Sequence, residues 1–343
     1  MFKKLFMFLG IGYLVTGCAL EEEHRLDSTE QLTASALINC DPLNCTGNSD
    51  LIALLGPYEL NEDRKSSNSR GFVIAGVEHP KWGITDFVVN GTSPVATTTD
   101  GGKLSGANLV GLKLTLHYED PAHVYPSQDY FLEIAQYLSN PEGGSGVKYY
   151  TGEYSQINGY YVKYNVSSSP EGPQFDLCPY TDVEPDMVGS WAVFWKGDRI
   201  DPRGGRIWAS NGAVDSWFNI SCAGEAPVKM LRARTGGAVA PQSPVEQRQA
   251  TLNMFTASYC GPNGHRYTHL GVPITWSDKS GPNQIGQVAS YEAVWNQNGA
   301  VCLVHPRLGA WPGCSIDPCE PLMITKWSSL GWLLSGNPPP PEL

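Results

Sequence analysis

Nine cysteines, the first of them Cys18 at the end of an apolar leader, constrain this chain more than any other feature. Met1-Phe2-Lys3-Lys4 is charged, Leu5 to Val15 is apolar, and the small residues Thr16 and Gly17 precede Cys18. A charged start, a short apolar run and a small-residue cut site are the parts of an export signal. The apolar run falls well short of the ~20 residues that a membrane-spanning helix needs. Export exposes the chain to an oxidising compartment. The other eight cysteines, Cys40, Cys45, Cys178, Cys222, Cys260, Cys302, Cys314 and Cys319, therefore read as four structural disulfides. Eight cysteines allow on the order of a hundred pairings, so connectivity stays open. The close spacings Cys40/Cys45 and Cys314/Cys319 admit local loops. The chain has no Cys-x-x-Cys and no finger-type Cys/His spacing, and no metal site is assigned.

Leu14-Val15-Thr16-Gly17-Cys18 resembles the bacterial lipobox. The resemblance implies that residues 1–17 are removed and that the Cys18 thiol is multiply acylated. Two acyl chains anchor stably where one anchors marginally. The partner implied is the membrane, reached through Cys18. Ala19 and Leu20 follow the cysteine without an Asp, which points to the outer membrane by the enterobacterial sorting rule. A plain signal peptide with an incidental cysteine is the alternative.

Only 17% of residues are charged, while 37 are Gly and 26 are Pro. That balance favours short strands and tight turns over long helices. Removing the leader takes away Lys3 and Lys4 and no acid, so the net charge moves from −11 to −13. Such an acidic chain is no partner for nucleic acid.

The fold class read from these features is mainly β with some α (α+β). An antiparallel sheet or sandwich body precedes a helix-led, disulfide-stabilised C-terminal module. Residues 18–35 read as a lipid-anchored tether and 36–70 as a short cysteine-containing segment, with a polar loop from Asn61 to Arg70. Residues 71–235 read as the strand-rich body. Leu112, Leu114, Leu116 and Tyr118 alternate with polar residues, as a half-buried strand requires. Tyr160 to Val166 reads similarly, and Trp191 to Trp195 is apolar throughout. Phe131 to Leu138 fits a strand or a short helix. After a linker, residues 245–335 form the C-terminal module. Ser243 as cap, Pro244 at the first turn and Glu246 three residues after the cap predict a helix. Val245, Leu252, Phe255 and Tyr259 would share its apolar face, and Cys260-Gly261 would end it. His269 to Trp276 reads as a strand. Asn296-Gln297-Asn298-Gly299 predicts a hairpin between two strands. Residues 336–343 read as a disordered Pro-rich tail.

Candidate chemistry is sparse. Ser258 as a nucleophile would need a base and an orienting acid, and no Gly-x-Ser-x-Gly elbow occurs. Cys260 as a nucleophile would have to stay unpaired. His265 and His269 have metal-ligand spacing but no identifiable third ligand. His117-Tyr118-Glu119-Asp120-Pro121-Ala122-His123 is the densest titratable cluster, and it reads as a solvated turn after a strand. Asp278 to Asn283 lacks the carboxylate count of a calcium loop. No catalytic residue and no cofactor is assigned.

Thr256-Ala257-Ser258-Tyr259-Cys260-Gly261 resembles the motif of the ADYC domain, found in secreted and lipoprotein-like proteins of predatory soil bacteria. The likeness continues through Gly271-Val272-Pro273-Ile274, Tyr291-Glu292-Ala293-Val294-Trp295 and Asn298-Gly299-Ala300-Val301-Cys302. It is clear over residues 245–320. Phe175-Asp176-Leu177-Cys178 and Ile220-Ser221-Cys222 look like weaker family positions. Ser258 stands where the motif has Asp, and the cysteines that typical members carry shortly before the motif are missing. The family has no established activity, so the resemblance speaks to architecture and compartment. The reading is a cell-envelope lipoprotein, a non-catalytic surface structural or binding module with a carbohydrate or protein ligand open. A glycan hydrolase and a redox or metal-handling lipoprotein are the alternatives. Ser258 is expected at the surface and Cys260 in a disulfide.

Expressed in a Gram-negative host with labelled fatty acid, the wild type should take up label and Cys18→Ala should not. Equal labelling of the two would sink the lipobox reading.

Overall fold

Among the described residues, period-two patterning becomes antiparallel strands more than any other element. The computed structural model describes residues 46–47, 59–122, 126–138, 158–165, 174–178, 191–200, 205–208, 216–222, 226–232, 244–262, 264–268, 273–278, 290–309 and 311–337. The strands in chain order begin with β1 (Thr46–Gly47), β2 (Glu59–Asn61), β3 (Phe72–Glu78), β4 (Ile84–Asn90), β5 (Ser93–Thr98) and β6 (Lys103–Ser105). Next come β7 (Lys113–Tyr118), β8 (Gln128–Leu138), β9 (Gly159–Asn165), β10 (Gln174–Asp176), β11 (Ala192–Lys196) and β12 (Arg199–Ile200). The last are β13 (Ile207–Trp208), β14 (Trp217–Cys222), β15 (Pro273–Asp278), β16 (Ser290–Asn296), β17 (Gly299–Leu303) and β18 (Leu333–Asn337). The helices are α1 (Ala226–Arg232), α2 (Val245–Thr256), α3 (Pro321–Thr325) and α4 (Trp327–Leu330). The fold class is the one the composition indicates, mostly antiparallel β with few helices.

A large sheet runs in the order β2-β14-β11-β9-β8-β7-β3, with β10 added to β9. The meander β4-β5-β6 covers one of its faces. Phe87 of β4 meets Phe194 and Phe218 edge-on, at ring separations of 6.3 and 5.8 Å. On β7, Leu114 and Leu116 enter this first core, as the alternation requires. The stretch Phe131–Leu138, open between strand and helix in the sequence, is strand β8.

A second core lies on the other face of β11 and β14. Ala192 and Phe194 belong to the first core, whereas Val193 and Trp195 belong to the second. A strand buried on both faces has no polar alternation, which explains the apolar run in β11. Helices α1 and α2 fill this second core, together with Ala293, Trp295, Leu303 and Leu333 of the C-terminal sheet β1-β15-β18-β16-β17. The far face of that sheet, with Val294, Cys302 and Leu334, is covered by Met323, Ile324 and Trp327. The segment before the body joins both sheets: β1 pairs with β15, and β2 pairs with β14. No described helix is long and apolar enough to cross a membrane.

Helix α2 departs from expectation in two ways. It is buried all round from Gln247 to Thr256, not only along one apolar stripe. It also ends at Thr256, with Ala257 in the left-handed conformation (φ 49°, ψ 40°), earlier than the expected stop at Cys260-Gly261. Pro244 is the residue before the helix and makes no side-chain cap bond, while Ser243 lies outside the described residues. Polar side chains tolerate this burial because the fold satisfies them. Gln249 accepts from the Ile207 N–H at 2.7 Å and donates to Gly205 O at 2.9 Å. Arg248 makes two bonds of 2.6 Å to the Asp198 carboxylate, with 7% and 1% of the two side chains exposed. Helices α1, α3 and α4 are short and went unanticipated, and β18 runs to Asn337, into the stretch read as tail.

Three disulfides close among the described residues: Cys178–Cys222, Cys260–Cys314 and Cys302–Cys319. Cys314 and Cys319 therefore do not form the local loop that their spacing admits. Their loops interleave, since Cys302 lies between Cys260 and Cys314. Cys18, Cys40 and Cys45 lie outside the described residues.

Truncating one partner of a buried, bidentate ion pair strands the other charge. Arg248→Ala is expected to cost about 3–5 kcal/mol, read as a lower denaturation midpoint. The paired change Asp198→Leu with Arg248→Met should recover most of that loss. A single variant that melts with the wild type would show that the pair does not hold α2 in place.

Candidate functional site

The hexapeptide at the end of α2 is the best-marked feature of the sequence, and its side chains build inward. Tyr259 is 1% exposed, and its ring stacks on Trp295 with centroids 5.2 Å apart. Its hydroxyl donates to Glu292 Oε1 at 2.6 Å and accepts the backbone N–H of Arg307 at 2.7 Å. Glu292 comes from β16, where a carboxylate interrupts an otherwise apolar strand and must find partners. Its other oxygen, Oε2, accepts from Arg307 Nη2 at 2.8 Å and from Ser335 Oγ at 2.7 Å. Ser335 in turn accepts the indole N–H of Trp295 at 2.8 Å.

Arg307 completes the group. Its guanidinium donates to Met254 O at 2.8 Å and to Phe255 O at 3.3 Å. Those are carbonyls of the last turn of α2, where the helix itself runs out of donors; Met254 O also accepts the N–H of the capping Ala257 at 3.2 Å. A cation there also opposes the negative end of the helix dipole. Only 1% of the Arg307 side chain and 3% of the Glu292 side chain are exposed. Nε of Arg307 is the one atom of the group left without a hydrogen bond.

The backbone closes around the same point. A Cβ on Gly261 would sit 2.6 Å from Asn298 O, and one on Gly299 would sit 2.3 Å from Tyr259 O. The motif and the β16–β17 turn thus meet backbone to backbone, and Ala300 N donates to Tyr259 O at 2.9 Å. The hairpin is present as read from Asn296 to Gly299, with Gln297 and Asn298 in the turn and Gly299 opening β17. Glycine at 261 therefore serves this close approach, while Ala257 ends the helix. Cys260, next to Tyr259, bonds Cys314, and Gly313 N donates to the Tyr267 hydroxyl at 3.2 Å. The segment 307–314 is tied at both ends, leaving Leu308 and Trp311 between them at the surface.

Burial first, and the Glu292 carboxylate beside it, push the Tyr259 phenol far above its ordinary range. It stays neutral, as a donor to Glu292. A tyrosine poised for proton transfer needs the opposite shift. Ser258 corrects an expectation. It is 3% exposed, not at the surface, and its hydroxyl shares a 2.9 Å hydrogen bond with Thr256 Oγ1. The early end of α2 turns position 258 inward, with Ser258 N bonded to Asn253 O. Of the two histidines with metal-like spacing, His265 is exposed against Tyr267, and His269 lies outside the described residues.

The described members of the titratable cluster at the end of β7 do not converge. His117 Nδ1 lies 2.7 Å from Asp129 Oδ1 across the β7–β8 pair, with 41% and 47% of the side chains exposed. Asp120 is buried and holds the turn through Ala122 N at 2.9 Å, Glu119 is exposed, and His123 lies outside the described residues. Residues 279–283 of the loop weighed for calcium are outside them too. Among the described residues no three His, Cys, Asp or Glu side chains gather as metal ligands. Arg307 carries the largest role that sequence reasoning missed. A lone charge inside the apolar β16 was the available signal that a buried cation must exist.

Tyr259→Phe leaves the Arg307 N–H without its acceptor and should cost about 1–3 kcal/mol. Cys260→Ala, which opens a long loop, should cost on the order of 2–5 kcal/mol. Ser258→Ala, now a buried hydrogen-bonded position, should cost about 1 kcal/mol rather than nothing. Thermal melts of the three variants beside the wild type check the order. A Tyr259→Phe melt within error of wild type would empty the group of its structural role.

No curated protein and no solved structure matches this chain. A family model does, that of the ADYC domain, over residues 106–309. The matched stretch starts well before the region of clear motif likeness and takes in β7 to β17, hence parts of both cores. It covers more than half of the sequence, and the chain is a member of the ADYC domain family.

Proposed function

We propose that this protein is a lipid-anchored cell-envelope module that binds or scaffolds and does not catalyse. The observation that carries the reading is the closure of the motif. Apart from Arg307 Nε, the side-chain polar atoms of Tyr259, Glu292, Arg307, Ser335 and Trp295 go to one another and to the end of α2. Electrostatic catalysis needs donors aimed at a place where a substrate can develop charge. Here those donors are aimed at Glu292, which is shielded from water. The motif then acts as a clamp that locks a helix, a hairpin and a disulfide-tied loop into one block. A durable, cross-linked block suits a protein held outside the cell, where no ATP-driven repair reaches it. The leader ending at Cys18 supports the envelope address, and a charge of −13 after its removal supports a freely solvated surface.

The test has two arms. Wild-type protein should fractionate with membranes and Cys18→Ala with soluble export products. The purified soluble form, incubated with peptidoglycan and with plant and fungal polysaccharides, should release no reducing ends above buffer. Release that disappears in His117→Ala, the exposed histidine paired with Asp129, would replace this reading with a hydrolase.

A further inference from the structure

Among the described residues the large sheet is covered on both faces over its β2, β14 and β11 side. Toward β3 the described side chains that point away from the first core belong to none of the hydrophobic cores. One row of them crosses five strands. Register places Glu78 opposite Lys113, Lys113 opposite Glu133, Glu133 opposite Lys163, and Lys163 opposite Asp176. The signs alternate along the row. Opposed positions bring Cβ atoms to roughly 5 Å, close enough for ion pairs. Yet among the described residues neither Lys113 nor Lys163 makes an ion pair within the 4.0 Å that joins Lys196 to Glu62. Among the described residues Glu133 accepts a single long bond, of 3.3 Å, from Gln174.

Aromatic rings flank the row. Phe131 sits two residues from Glu133 on β8, is half-buried, and packs into none of the hydrophobic cores. Tyr161 sits two residues from Lys163 on β9 and packs edge-on to Trp191 at 6.2 Å. A small hollow opens on this face, lined among others by Lys113, Phe131, Glu133, Lys163 and Gln174.

We propose that this outer face of β7–β10 binds an oligosaccharide. The proposal rests on the reading of the chain as a binding module and names its ligand class. Charge selects the class. Ammonium donors and carboxylate acceptors side by side, nearly cancelling, offer neither a polyanion nor a polycation a net counter-charge. They match a ligand whose adjacent hydroxyls must each donate and accept. Phe131 supplies the flat apolar platform on which the C–H face of a sugar ring stacks. Sites on an open strand face are shallow, so they suit an extended chain of sugar units rather than an enclosed small molecule.

The soluble chain from Ala19 onward is applied to a printed array of neutral, N-acetylated and uronate oligosaccharides, and affinity for the best-bound probe is then measured by calorimetry. Phe131→Ala and Lys163→Ala should each weaken binding by about tenfold or more. Trp311→Ala, in the exposed segment between Arg307 and Cys314 and absent from the lining of the hollow, should bind as the wild type does. Melts of all three confirm folding, and if Phe131→Ala melts early, the surface change Lys163→Ala decides alone. No binding on the array, or equal binding by both sheet variants and wild type, overturns the proposal. Loss with Trp311→Ala alone moves the site off the sheet and overturns it as well. Shortening of a bound probe during the measurement defeats the non-catalytic reading while leaving the sheet as the place of binding.

Discussion

The buried pair of Glu292 and Arg307 is the interaction on which the C-terminal half depends. Each charge alone would cost several kcal/mol to remove from water. Together they are tolerable only because every neighbour helps. Tyr259 and Ser335 saturate the carboxylate, while Met254 and Phe255 offer helix-end carbonyls to the guanidinium. The same bonds fix where α2 stops and where the hairpin turn arrives. That arrival puts Asn298 against Gly261 and leaves Cys260 within reach of Cys314. The motif is thus one electrostatic solution read out as four adjacent residues.

A second set of buried charges joins the two cores. Strands β11 and β14 are their common wall, and the polar residues that cannot enter either core gather at its ends. Arg248 on α2 holds Asp198 just after β11. Glu59 on β2 holds Arg199, whose guanidinium lies 3.8 Å from the Trp217 ring. Glu62 takes Lys196 at 2.7 Å and the Val89 N–H at 2.6 Å, which brings the meander into the same system. Short segments remote in sequence are stitched to the wall in this way. Buried pairs of this kind add little net stability over apolar packing, but they penalise wrong arrangements strongly.

The contrast between these pairs and the row on the outer sheet face is physical. Inside, each charge is matched by geometry that leaves no room for a third party. Outside, opposite charges stand beside one another without closing, because water screens the attraction and side-chain entropy outweighs it. Hydrogen-bonding capacity left over in that way is what a ligand can use. The clamp thus spends its charges on the fold itself, whereas the outer face leaves its charges to the solvent.

Local pattern alone made much of the fold legible. The alternation through Leu112–Tyr118 marked β7, the apolar run of β11 marked burial on both faces, and Asn298-Gly299 marked the hairpin. These signals are legible because strand period and turn geometry are set by neighbours along the chain. The cysteine content pointed to disulfides, but not to interleaved ones, since pairing depends on which strands lie side by side. The helix after Pro244 was visible along with its apolar face, and only the packing of two sheets around it shows why Gln249 and Arg248 are inside too. Ser258 looked like a surface residue for the same reason. The sequence by itself determined the period, the turns and the presence of an unbalanced Glu292 in a buried strand. Only the tertiary structure decided that Arg307, fifteen residues away and in a loop, would balance it, because burial and counter-charge are properties of the space around a residue and not of its neighbours in sequence.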